Sequence, residues 1–475
     1  MKKTGLFKVL LCVLLVVVLL SWLLPSNYFY MGQLIELTEA DYGVLRIGFF
    51  DIFQFLFGTY QYSSFLQILF FILSVGAFYG VLVKTGKYRA WIEKIASSFK
   101  GIEWVLLVII AVVVAGLYSV FNYGLLLFMF IPFLIALILA MGYDKLTAFV
   151  TTFGAMLVGQ IGSTISYEVN ASLNDAIGTA LGTGIFYKLA LLVICLGLLI
   201  FYLVKAKHTT VKKVENKVEE LVDNDLFIGE KLSNKYSVVP IIVIFCALFV
   251  LLILACTKWD AVFGVKVFTN FHETLMEKVT IGKFLVIRSI LGSINAFGNW
   301  YYAEMSFMLI LSSLLIGKCY GMKFENIFGN MADGVKKVVK PALLVVLCYA
   351  VFYFNANSMT YPTIANFLIG LTKKFNFLLS SISMVIGSVG HVDISYVATY
   401  VVPQLAAQEV GTTTIMLIAQ GIYSVTMLIA PTSVLLVLGL SYLGIPYCEY
   451  IKKMWKYILI LLGIVLATIV VSLLI

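Results

Sequence analysis

Val425-Thr426-Met427-Leu428-Ile429-Ala430-Pro431-Thr432-Ser433-Val434, near the C-terminus, interrupts a long apolar run that resumes after it. Pro431 lacks an N–H and its ring clashes with the preceding turn, so a helix entering this stretch should break there. Hydrocarbon cannot satisfy the freed carbonyls and amides, so a break at membrane depth has to face protein or a wet cavity. The stretch therefore predicts a membrane helix broken at a transport site.

The rest of the composition agrees with a membrane setting. The chain has 475 residues, 62% hydrophobic and 12% charged, with a mean hydropathy of +1.03, far more apolar than a soluble domain. At least eight apolar runs approach the length of about 20 residues that crosses roughly 30 Å of hydrocarbon. The alternation of about ten residues that marks a porin-like barrel is absent. Phe7 to Leu24, behind Met1-Lys2-Lys3, is long for a signal peptide and lacks a small-x-small cleavage site, so it is read as a retained span. The net charge of +9 comes from lysines concentrated in interhelical loops, where they set topology rather than mark a nucleic-acid partner. Seven cysteines are scattered without a CxxC pair and read as small buried hydrophobes.

Charge places the N-terminus in the cytoplasm and Pro25 to Asp41, without Lys or Arg, outside. Lys84 to Lys100, with Trp91, Ile92 and Ile95 at helical spacing, reads as an amphipathic interfacial helix. Ile102 to Tyr118 and Leu125 to Met141 flank Ser119-Val120-Phe121-Asn122-Tyr123-Gly124, either as a re-entrant hairpin or as two full spans. Residues 146–161 then meet Gly162-Ser163-Thr164, a cluster that weakens helix in mid-span. After a span at 185–204, the charged segment 205–236 reads as a cytoplasmic linker between residues 1–204 and 237–475. In the second part Lys323 to Lys340 reads as cytoplasmic, 341–356 as a span, and 358–374 as interfacial. A second hairpin follows, with its tip at Gly387-Ser388-Val389-Gly390-His391-Val392-Asp393. The broken span at Pro431 and a final span from Tyr457 complete the chain.

The two parts match. Ser119-Val120 aligns with Ser388-Val389, Pro132 with Pro403, and Gly142 with Gly411, at offsets of 269, 271 and 269. The last offset carries Ser163-Thr164 onto Thr432-Ser433 and Gly162 onto Pro431. Loop charges put corresponding elements on opposite sides of the membrane. The expected fold is an all-α polytopic membrane protein with an inverted-topology repeat, two re-entrant hairpins and two broken transmembrane helices. In secondary transporters of this kind the site lies at the midplane between the halves.

Several motifs stand in a particular order: Gly76-Ala77-Phe78-Tyr79-Gly80-Val81-Leu82-Val83-Lys84-Thr85-Gly86, Gly142-Tyr143-Asp144, Phe297-Gly298-Asn299-Trp300-Tyr301, Ala332-Asp333-Gly334, Ala430-Pro431-Thr432-Ser433 and Gly444-Ile445-Pro446-Tyr447. In these motifs the chain resembles the YfcC-like branch of the C4-dicarboxylate carrier (DcuC-type) group. That group belongs to the ion transporter superfamily, with the divalent-anion/sodium symporters and the aminobenzoyl-glutamate transporters. The resemblance implies hairpin tips that meet broken helices around a small carboxylate-bearing solute and its coupling ion. Carried over by position, the first half-site is Ser119, Asn122 and Gly124 with Gly162, Ser163 and Thr164. The second is Ser388, Gly390, His391 and Asp393 with Pro431, Thr432 and Ser433. The family's Ser-rich outer tip is replaced here by Gly-Ser-Val-Gly-His-Val-Asp, and its acidic inner tip by Phe121-Asn122-Tyr123-Gly124.

Hydroxyls and helix-end amides bind ions and carboxylates without a permanent charge in the membrane, and unwound carbonyls suit a cation such as sodium. Sodium would fall at Ser163, Thr164, Thr432 and Ser433; no other metal and no cofactor is expected. His391 and Asp393 are a candidate proton-linked or cation-binding pair. Packing between small residues is the competing reading for Gly162-Ser163-Thr164, and a loop in water for His391 and Asp393. Trp300, Tyr301 and Tyr302 read as an interfacial belt. No zincin spacing and no phosphate loop is present, so an enzyme is not expected. The expected protein is a secondary active transporter of a bacterial inner membrane. It would carry an amino acid, a peptide-like solute or a C4-dicarboxylate, with sodium, protons or exchange as the driver and a homodimer admitted. A channel, or a non-transporting scaffold or receptor, is the alternative.

Overall fold

The computed structural model describes residues 5–30, 33–38, 46–48, 50–51, 63–210, 226–229, 235–281, 284–372 and 374–474. Among them eight helices are long and apolar enough to cross a bilayer. They include Leu6–Leu23, Glu103–Phe121, Ile185–Thr210, Val239–Cys256, Tyr302–Cys319 and Tyr447–Leu474. Their outer faces leave Trp22, Phe186, Val193, Phe201, Val243, Phe307 and Leu459 exposed. Apolar surface on this scale, repeated along span after span, belongs against lipid. Three of the seven cysteines, Cys12, Cys246 and Cys319, lie on such exposed faces rather than buried. Two small antiparallel hairpins also occur in the loops, Asn27–Tyr30 with Gln33–Glu36 and Thr280–Ile281 with Phe284–Leu285.

The other two long helices, Ser63–Val83 and Phe324–Ser358, are the most buried and cross at the centre. Small residues let them touch backbone to backbone, the usual device of membrane helix pairs. A Cβ on Gly334 would stand 2.1 Å from the Gly76 carbonyl oxygen and 2.6 Å from Gly80 Cα. The glycines of two motifs far apart in sequence thus form one contact. Helix Phe324–Ser358 has 35 residues and continues through Pro341. At 1.5 Å per residue it is about 52 Å long, so the charged stretch read as cytoplasmic and the span read at 341–356 are parts of one rod.

Helix Lys87–Ser98 is amphipathic, with Tyr88 and Ile92 buried and Trp91 stacked on Phe133 at 4.6 Å. Glu103–Phe121 is long enough to cross, whereas Phe377–Val389, with 13 residues, extends only about 20 Å and is too short to do so. The helical runs 145–161 and 412–427 each contain a π-helical turn, at Val150–Gly154 and Ile418–Ile422, 268 residues apart. Such turns are rare and gather at functional sites.

Two features of the linker region differ from the sequence expectation. Helix Ile185–Thr210 runs past residue 204. Further on, Leu226–Gly229 docks into the body: Phe227 is fully buried with Tyr79 at 5.3 Å and Tyr442 at 6.3 Å. Residues 211–225 and 230–234 lie outside the described residues, as do most of 39–62.

Candidate functional site

Helix Glu103–Phe121 ends at Asn122, whose φ of +50° turns the chain and whose N–H bonds the Tyr118 carbonyl at 2.9 Å. Asparagine tolerates this left-handed conformation better than most residues. Ser119, just inside the turn, donates its hydroxyl to the Gly162 carbonyl at 2.6 Å, and its own carbonyl accepts the Thr164 N–H at 3.0 Å. The end of helix Glu103–Phe121 thus supplies partners to the break at 162–166. Gly162 presses on the 185–210 helix, since a Cβ there would stand 2.4 Å from Leu192 Cβ. Ser163 and Ser166 are fully buried, and neither hydroxyl has a hydrogen-bond partner among the described residues.

The second half is built similarly with different groups. Thr432 donates its hydroxyl to the Val389 carbonyl, at the end of Phe377–Val389. The Pro431 carbonyl accepts from Cys348 Sγ at 3.7 Å. Ser433 precedes helix Val434–Leu443 and is buried. Ser388 bonds back to the Met384 carbonyl at 2.6 Å within its own helix. Gly390 is held by space, because a Cβ would stand 2.1 Å from the Tyr361 ring. His391 is fully buried against Tyr396, Phe352 and Asn355, whose Nδ2 is 3.1 Å from its Nε2. Asp393 is separate from it: Asp393 is exposed and caps helix Ile394–Tyr400 through the Ser395 N–H at 3.1 Å.

The first break is also joined to the helical run 412–427 that leads into the second. Gln420, in the second π-helical turn, donates from Nε2 to the carbonyls of Ile161 at 3.1 Å and Ser163 at 3.0 Å. Ser424 donates to the Gln160 carbonyl at 3.1 Å. These bonds satisfy the carboxyl end of the first broken helix, which would otherwise be bare.

Beside these breaks lies a cavity of about 600 Å³. Of the expected site residues, Asn122, Gly124 and Asp393 line it; the others form the hydrogen-bonded or packed groups behind its wall. Its remaining polar lining was not singled out from sequence. Glu168, on helix Tyr167–Ile177 after the first break, faces the cavity and accepts from Asn122 Nδ2 at 3.1 Å and the Tyr301 hydroxyl at 3.4 Å. Gln160 also lines it, 7% exposed, with Oε1 unpartnered. Seven tyrosines line the cavity, Tyr301 and Tyr302 among them, so these two belong to the cavity wall rather than to an interfacial belt. Among the described residues no Lys, Arg or His lines it. Lys258, a lysine that acts electrostatically on Glu168, lines a neighbouring pocket with Trp259 and Asn299. The signal for Glu168 was available: it is a carboxylate directly after a predicted mid-membrane break.

The family is given by one comparison with known proteins. A family model described as C4-dicarboxylate anaerobic carrier matches residues 4–474. No curated protein matches. Among solved structures, the chain is similar to the Alcanivorax borkumensis YdaH transporter, at 14% identity and a TM-score of 0.43 over 98% of each chain. It is also similar to Neisseria gonorrhoeae MtrF, of a class of antimetabolite efflux pumps, at 13% identity and a TM-score of 0.43 over 100% of this chain and 96% of that one.

Proposed function

The chain belongs to the C4-dicarboxylate anaerobic carrier family and is a membrane transporter, and from that premise we propose that its solute carries an amine together with a carboxylate, as an amino acid does. The observation that carries this reading is the lining of the cavity: two carboxylates, Glu168 and Asp393, seven tyrosines, and, among the described residues, no basic side chain. Two unit charges about 6 Å apart at an effective dielectric near 20 interact by roughly 3 kcal/mol. A dicarboxylate dianion facing two carboxylates would meet that repulsion several times over, whereas an ammonium gains it. Tyrosine faces add cation–π attraction, about 0.5–2 kcal/mol where the cation is desolvated. The solute's own carboxylate would be met by hydroxyls and amides such as Asn122 and Gln160.

The wider reading is a secondary active transporter working by alternating access. Its two inverted halves, 1–204 and 237–475 joined by 205–236, would hold the site between them, with the N-terminus in the cytoplasm of a bacterial inner membrane. Sodium or protons would couple transport, or the solute would exchange. The recurrence of hairpin end, break and π-helical turn at offsets of 268–269 supports two equivalent halves. The hydrogen bonds from Gln420 and Ser424 to the first break support a site shared between the halves.

Counterflow in proteoliposomes tests the proposal. Vesicles loaded with lysine, arginine, ornithine or neutral amino acids are compared with vesicles loaded with succinate or fumarate, using wild type, Glu168→Gln and Asp393→Asn. Amino-acid counterflow that either neutralisation cuts at least tenfold is expected, the effect of losing about 1.4 kcal/mol. Dicarboxylate counterflow unaffected by Glu168→Gln would refute the solute class. Flux without saturation or counterflow would favour a channel.

A further inference from the structure

Lys188 is a charged residue in the apolar helix Ile185–Thr210, one turn before Leu192, the residue against which Gly162 packs. It therefore lies alongside the first break. Its side chain is fully buried, and no carboxylate pairs with it among the described residues. Its Nζ donates to Asn170 Oδ1. Asn170, also fully buried, donates in turn from Nδ2 to the Thr164 carbonyl at 3.2 Å and the Ser166 carbonyl at 2.9 Å. The positive charge thus reaches, through one amide, the Thr164 carbonyl in the break and the Ser166 carbonyl at the start of the next helix, which also accepts the Asn170 backbone N–H at 3.1 Å. The hydroxyls of Ser163 and Ser166, in the same break, are buried without partners among the described residues.

A lone ammonium in a membrane helix is expensive, and such residues persist where they serve ion or substrate pathways. We infer that Lys188 is the resident cation of the first break, supplying on a tether the charge that a free monovalent cation would otherwise bring to Thr164 and Ser166. On this inference the first half needs no bound cation, and any coupling ion belongs elsewhere, with the break around Thr432 and Ser433 as the matching position. The inference rests on reading the break as part of the transport site.

The test is to shorten the tether and offer a free ion. In Lys188→Ser, or Lys188→Gln should the serine variant not fold, the ammonium is gone while the carbonyls and serine hydroxyls stay. Purified full-length protein is melted in detergent with sodium, potassium, lithium or choline chloride at equal ionic strength. In choline the variant is expected to melt below wild type. A saturating rise in melting temperature with one small cation is expected, beyond any rise that wild type shows. Uptake in choline is expected to fall about tenfold to a hundredfold, the range for a lost charge-assisted hydrogen bond, and to recover in the same cation. Lys188→Arg should keep the wild-type ion response. The inference is overturned if no small cation stabilises the variants beyond wild type, or if Lys188→Met melts and transports as wild type does. Because melting reads cation binding without uptake, failure here is distinct from failure of the transport reading, which the Glu168→Gln counterflow tests.

Discussion

Gly334→Ala should destabilise the protein, while Gly329→Ala, five residues earlier on the same helix, should not. Both replacements gain helix propensity, about 0.8–1.0 kcal/mol, so comparing them cancels that contribution and isolates the crossing. At Gly329 a Cβ meets nothing within 4 Å. At Gly334 it would lie 2.6 Å from Gly80 Cα and 2.8 Å from Gly80 N, against a carbon–carbon optimum of about 3.5–4.0 Å. Both neighbours are backbone, so no side chain can swing away and the helices must part by about 1 Å. Overpacking of this kind costs about 1–3 kcal/mol, which is the expected difference between the two variants. Titration with SDS, followed by tryptophan fluorescence, measures it, and thermal melting in mild detergent checks the order. Equal stability of the two variants would refute the claim that backbone contact at Gly76, Gly80 and Gly334 organises the fold.

Gln420→Leu removes two donors from the buried carbonyls of Ile161 and Ser163. Each orphaned carbonyl costs about 1–3 kcal/mol, so the melting temperature should fall clearly below that of an exposed control such as Gly329→Ala; an unchanged melt would mean that Gln420 does not tie the first break to the helical run 412–427. Phe227→Ala empties the space beside Tyr79 and Tyr442, and loss of a buried Phe side chain costs up to about 3–5 kcal/mol. Hydrogen exchange at 226–229 should accelerate while that of 324–358 stays slow; unchanged protection at 226–229 would show that the segment is held by something else.

Most of the architecture was legible because it follows from local rules. Apolar length marked the spans, and the missing N–H of Pro431 and the small polar cluster at Gly162 marked the breaks. Helix Phe324–Ser358 was read as two pieces, a charged cytoplasmic stretch and a span, because charge marks where the membrane ends and not where a helix does; a helix can extend beyond the membrane face with its charges in water. The cavity was less legible. Ser119, Thr164 and Thr432 carry helix-breaking or capping signals, and in the structure they satisfy backbone groups behind the wall. Glu168, Tyr301 and Tyr302 face the cavity because elements from distant parts of the chain converge there, and no local pattern encodes that convergence. Lys188 gave a usable signal, a single lysine in an apolar span, yet its partner Asn170 lies 18 residues earlier and only the fold pairs them.

The cavity wall divides along a seam that bears on how such a site could open. Tyr302, Tyr349 and Phe352 come from Tyr302–Cys319 and Phe324–Ser358, the latter a member of the glycine crossing. Asn122, Glu168, Asp393 and Tyr423 come from the segments proposed as hairpins and from the broken helices, which Ser119, Gln420 and Thr432 tie to one another. Both carboxylates are therefore on the hairpin side, and the scaffold side contributes neutral rings. If the hairpins and broken helices move as a body against the crossed pair, the charges that hold an amine travel with the solute. The ring contacts on the scaffold side would be exchanged along the way. With the proposed amine-bearing solute, such sliding would not separate the ammonium from its counter-charges, so the attraction would not have to be broken for the site to reorient. An arrangement with one carboxylate on each side of the seam would have required that separation at a cost of roughly 3 kcal/mol for a pair about 6 Å apart.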